Sequence, residues 1–77
     1  MSQLGLIIRK VFVKITSVRD EDDNMNDLLG KIVLADYVMH QGDGVYSCQV
    51  QVQETFYLTT NCRIRFIKEM DYPEYFL

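Results

Sequence analysis

The segment VYSCQVQVQ, Val45 to Gln53, decides how this chain is read. Tyr46, Cys48, Val50 and Val52 alternate with Ser47, Gln49, Gln51 and Gln53. A period of two sends one set to a core and the other to solvent, which predicts a half-buried β-strand. Upstream, His40-Gln41-Gly42-Asp43-Gly44 is rich in residues that tolerate positive φ, so a hairpin turn is expected there. The strand before it, Lys31 to Met39, is apolar at nearly every position except Asp36, which predicts partial cover on both faces. Downstream, Glu54 and Thr55 lead into Phe56-Tyr57-Leu58, read as a short strand or a continuation past a bulge. Thr59-Thr60-Asn61 reads as the next turn, with Asn61 as its left-handed residue. In the last strand Cys62, Ile64 and Phe66 oppose Arg63 and Arg65.

The first strand is equally clear. Val11, Val13 and Ile15 fall on one face of Arg9 to Val18, and Lys10, Phe12, Lys14 and Thr16 on the other. An acidic stretch ends it. Asp22 or Asp23 is placed to cap one or two helical turns through Met25, Leu28 and Leu29, with Gly30 as terminator. These elements predict one mainly β domain over residues 1–77: a small antiparallel meander or barrel of four to five strands, with one short helical turn after the first. The tail segment Asp71-Tyr72-Pro73-Glu74-Tyr75 resembles the closing segment of Src-homology-3 domains. In a barrel of that kind the acidic segment would occupy the long first loop. That family's tryptophan pattern is absent here, so the resemblance is one of topology.

Size and charge narrow the function. A chain of 77 residues buries roughly 60% of the surface it exposes when unfolded, which leaves little room for a deep substrate cleft. The net charge of -3 is unevenly distributed. Met1 to Arg19 carries four basic residues and no acid, whereas 20–27 carries five acids and no base. Between Gly44 and Cys62 the sole charge is Glu54. No apolar run reaches the roughly 18 residues of a membrane helix. Leu4 to Ile8 is too short for a secretory signal core, and Arg9-Lys10 follows it instead of preceding it. A cytoplasmic location is therefore expected, with Cys48 and Cys62 as buried thiols in preference to a disulfide.

Neither a metal nor a cofactor is expected. Asp20, Asp22 and Asn24 have the spacing of a calcium loop, but Met25 stands where that loop needs glycine and Lys31 where it needs glutamate. His40 is the single histidine, and the two cysteines lack the short paired spacing of a zinc site. With no phosphate loop and inert thiols, an enzyme is not expected. Asp36 is the one carboxylate placed to feel burial, either as an acid of raised pKa or, the favoured reading, paired with a lysine or turned to a sheet edge.

Three interaction readings remain. In the first, a non-enzymatic module binds a larger protein that has a basic docking surface. Asp20, Glu21, Asp22, Asp23 and Asp27 supply electrostatic docking, and Tyr72, Tyr75 and Phe76, in the acidic aromatic tail 69–77, act as anchors. A small regulator or inhibitor, such as a phage or other mobile element encodes against a host machine, fits that description. In the second, Lys10, Phe12, Lys14, Arg63 and Arg65 form a basic face for nucleic acid, provided the first and last strands are neighbours. In the third, the uncharged strand 45–53 adds edge-on to a second copy of the chain.

Overall fold

The computed structural model describes residues 7–21 and 24–76. Four antiparallel strands follow one another around a closed barrel. They are β1 (Ile7–Val18), β2 (Ile32–Gly42), β3 (Val45–Val52) and β4 (Thr55–Phe66). A 3₁₀ turn, Asn24–Leu28, lies between β1 and β2, and a second, Pro73–Tyr75, lies in the tail. The architecture is that of a small barrel consistent with the Src-homology-3-like expectation, with four strands.

A period of two buries one face of each strand only while the strand runs regularly. Here the inward set changes parity along β1, β2 and β4. In β4, Tyr57 and Thr59 point inward and then Cys62 and Ile64, with the phase shifted by one residue. The cause is a bulge. Tyr46 pairs with Cys62 while Cys48 pairs with Thr59, so β4 carries one extra residue at Thr60-Asn61. The Thr59 hydroxyl, itself buried, accepts the Asn61 backbone N–H at 3.2 Å inside that bulge. β2 shifts in the same way between Ala35 and Tyr37, so that Val33 and Ala35 are inward before the shift and Val38 after it. β1 has its extra residue between Ile15 and Ser17, after inward Val13 and Ile15. Bulges increase local twist and bend a strand, and these bends turn the sheet back onto itself.

Two sequence expectations change as a result. Residues 59–61 do not turn the chain: β4 continues through them with a bulge, and Asn61 is not left-handed. The turn lies earlier, at Gln53-Glu54, with Gln53 at φ 57°. The β2–β3 hairpin is also tighter than expected. His40, Gln41 and Gly42 stay in the strand, and Asp43 (φ 55°) with Gly44 (φ 76°) makes a two-residue turn whose twist matches the flanking strands.

The core is made of Val13, Ile15, Val33, Ala35, Val38, Cys48, Val50 and Cys62 from the strands. Met25 and Leu28 from the 3₁₀ turn complete it. The expected helical turn thus contributes two side chains to the barrel core. Gly30, at φ 78°, ends that turn as expected, and its N–H donates to the Ile15 carbonyl at 2.8 Å, which leads the chain into β2. The capping role read for Asp22 or Asp23 falls outside the described residues.

The Arg63 guanidinium donates to the Asp43 carbonyl at 3.1 Å and lies 2.7 Å from where a Cβ on Gly44 would stand. Gly44→Ala therefore meets both a left-handed backbone and this side chain. A loss of about 1–3 kcal/mol in urea-induced unfolding is expected, with Arg63→Ala in the same background recovering only the steric part.

Candidate functional site

Strands β1 and β4 are neighbours, as the nucleic-acid reading required. Lys14 stands directly opposite Arg65 and Ser17 opposite Arg63. The cations nevertheless have different surroundings. Lys10 Nζ lies 2.9 Å from Asp36 Oδ1, and the Arg63 guanidinium is held at the β2–β3 turn. Lys14, Arg65 and Lys68 line a groove of about 260 Å³ together with Phe66, Ile67, Asp71 and Tyr72. Phe12 is not an open stacking platform, because Tyr75 and Phe76 of the tail pack on it with ring centroids 5.4 and 5.8 Å away. Tyr72 in turn meets Tyr75 edge-on at 6.3 Å.

The tail aromatics are therefore placed beside the basic face, apart from the acidic segment with which the sequence reading grouped them. Tyr72 is half-buried; Tyr75 and Phe76 each keep one side exposed. Their ring contacts fold the tail back against β1.

The acidic segment occupies different ground. β1 pairs with β4 only over 62–66, and the turn 24–28 packs against β4 as well. The Arg19 N–H donates to the Asn61 carbonyl at 2.9 Å, and Asn24 Nδ2 donates to the Phe56 carbonyl at 3.2 Å. Asn26 Nδ2 donates to the Asp20 and Glu21 carbonyls at 2.8 and 3.3 Å, which closes the loop on itself. Asp20, Glu21 and Asp27 are exposed, while Asp22 and Asp23 lie outside the described residues.

Beside that loop stand two side chains that the sequence reading did not single out. Phe56 is 58% and Leu58 56% exposed. They alternate with inward Tyr57 and Thr59, so both lie on the outer face of β4, across from Gln51 and Gln49 of β3. An apolar pair on an outer sheet face, edged by glutamines on one side and the acidic loop on the other, is the arrangement of an interface centre with a polar rim. In the sequence Phe56-Tyr57-Leu58 is an unbroken apolar run, and nothing in its pattern says which members face outward.

The uncharged strand lies mid-sheet: β3 is paired with β2 over 45–50 and with β4 over 46–52. The edge that strand addition to a second copy would need is therefore occupied. Among the described residues no group of three or more metal-ligating side chains occurs, and no helix is long and apolar enough to cross a membrane. Comparison with protein-family models, curated proteins and solved structures finds no match.

Asp36 does not have the raised pKa of a buried acid. The hydrogen bond from Lys10 holds its carboxyl below the ordinary carboxylate value, against a smaller opposing effect of desolvation. Its folded-state pKa lies below that of the unfolded chain. The pair therefore supports the fold above the ordinary carboxylate range, and that support is lost as pH falls through the depressed value. Lys10→Met should move the Asp36 side-chain titration midpoint upward in an NMR pH series. An unmoved midpoint would show that Lys10 is not the cause.

Proposed function

We propose that this domain is a non-enzymatic interaction module that binds a larger protein through Phe56 and Leu58, flanked by the acidic segment 20–27. The observation that carries this reading is the exposure of two adjacent large apolar side chains on an outer sheet face, with the acidic loop hydrogen-bonded to the same strand. Phe56 and Leu58 forgo about half of the roughly 1.5–3 kcal/mol that full burial of such a side chain contributes, since over half of each stays in water. A partner recovers that energy if it offers an apolar patch. The acids define the rest of the partner: lysines and arginines around that patch speed encounter and set its orientation. Such a module acts by occupying a site on its partner, as a regulator or inhibitor does. Compared with the sequence expectation, the acids keep their docking role, Phe56 and Leu58 become the anchors, and Tyr75 and Phe76 pack the tail.

The test is affinity capture from a lysate of the source organism with the wild-type domain and two surface variants. In Phe56→Ser/Leu58→Ser the captured partner should fall by about 30-fold or more, the size of a hot-spot loss of ~2 kcal/mol. In Asp20→Asn/Glu21→Gln/Asp27→Asn, capture should weaken and lose its dependence on salt. All five positions are exposed, so both variants should remain folded, which urea unfolding checks. Undiminished capture by both variants would end the proposal.

The groove lined by Lys14, Arg65 and Lys68 supports a second reading, single-stranded nucleic acid. Asp71 in the same groove weighs against it, as does the pairing of Lys10 with Asp36. Fluorescence polarisation against single- and double-stranded oligonucleotides at two salt concentrations separates the readings. The protein-binding proposal expects no titration at low salt, and Lys14→Gln/Arg65→Gln to leave partner capture unchanged.

A further inference from the structure

Cys48 and Cys62 meet inside the barrel with their sulfurs 3.2 Å apart. Neither is in a disulfide, and both are fully buried. Their thiols form a short chain: the sulfurs are in hydrogen-bond contact, and the Cys62 thiol donates to the Tyr46 carbonyl at 3.5 Å. The two residues belong to adjacent strands near the β4 bulge, with Tyr46 opposite Cys62 and Cys48 opposite Thr59. The bulge brings them together, because without the extra residue at 60–61 Cys62 would fall out of phase with the inward face that Thr59 occupies. A bonded pair of sulfurs lies about 2.05 Å apart. Closing the remaining gap requires rotation about the side-chain torsions and a small approach of two strands that are already hydrogen-bonded.

We propose that Cys48 and Cys62 are a latent disulfide site, a dithiol that exchange with a low-molecular-weight disulfide converts into a covalent link between β3 and β4. Access sets the order of events. Cys62 lies on β4 opposite Val18, in the β1–β4 seam, which is the shortest ladder of the barrel. When that seam opens, the Cys62 thiolate attacks one sulfur of the reagent. The reagent S–S bond breaks, a protein–reagent disulfide forms, and the first reagent thiolate leaves and takes up the Cys62 proton. The Cys48 thiolate then attacks the Cys62 sulfur and expels the second reagent thiolate, which takes up the Cys48 proton. The protein loses two protons and two electrons, and the reagent disulfide gains both as two thiols.

In the closed barrel the reagent reaches neither thiol, because both are fully buried, and the second step is held back as well. The hydrogen bond to Cys62 raises the pKa of the Cys48 thiol well above the ordinary thiol value, and burial raises it further. Almost none of it is therefore the reactive thiolate until the strands part. The finished link closes a loop between positions 14 apart, within the range where cross-links restrict the unfolded chain appreciably.

The experiment uses the full chain incubated with glutathione disulfide at the foot of its urea transition, where the seam opens often, and read by intact mass. The expected product is a monomer lighter by two hydrogens, with a raised urea midpoint that excess dithiothreitol returns to its starting value. Cys48→Ser should instead retain one glutathione on Cys62, because the resolving thiol is gone. If that variant does not fold, the wild-type mass still decides. A persistent glutathione adduct on the wild type, a disulfide-linked dimer or an unchanged mass would each overturn the proposal. The site is independent of the interaction surface, since Phe56 and Leu58 point away from the barrel interior.

Discussion

A sheet of only four strands closes on itself only if its strands bend sharply, and that constraint organises this molecule. Strands as long as β1 and β4, 12 residues each, would form an open twisted sheet if they ran regularly. One-residue bulges in β1, β2 and β4 supply the bends. Each also moves the inward side chains from one parity to the other, so a strand contributes to the core on both sides of its bend. Hence Val33 and Ala35 are buried together with Val38, and Tyr57 and Thr59 point inward together with Cys62 and Ile64.

The same bends create the surface. Because β1 meets only the second half of β4, the first half is left for the turn 24–28, where Asn24 bonds to Phe56, while Arg19 bonds to Asn61 at the end of the β1 ladder. The loop takes up backbone groups that an open edge would offer to another chain. It also carries Met25 and Leu28 into the interior, so the charged stretch that looks external in the sequence is fixed by two core residues. Phe56 and Leu58 stay outside because the residues between and after them, Tyr57 and Thr59, are the ones the barrel takes in.

Much of the architecture was legible in the residues. The alternation in Val11-Phe12-Val13-Lys14-Ile15 and in Cys48-Gln49-Val50-Gln51 marked strands and their buried faces correctly. Gly30 and the Asp43-Gly44 pair marked a terminator and a hairpin, because glycine and aspartate favour the backbone angles found there. The reading failed at Thr59-Thr60-Asn61. Small polar residues serve turns and bulges equally well, and only pairing with β1 and β3 selects the bulge. For the tail, composition groups Tyr75 and Phe76 with the acids, whereas the fold packs their rings against Phe12, within the basic face.

By itself the sequence determined the class of fold, the order of strands along the chain, the position of the helical turn and the uneven placement of charge. All of these follow from local periodicity and from the backbone preferences of single residues. Tertiary structure alone decided which apolar residues remain in water, which cations are paired, and that Cys48 and Cys62 touch. Those outcomes depend on how far each strand slides past its neighbours before the barrel closes. A one-residue slip inverts inside and outside, and no local pattern records it.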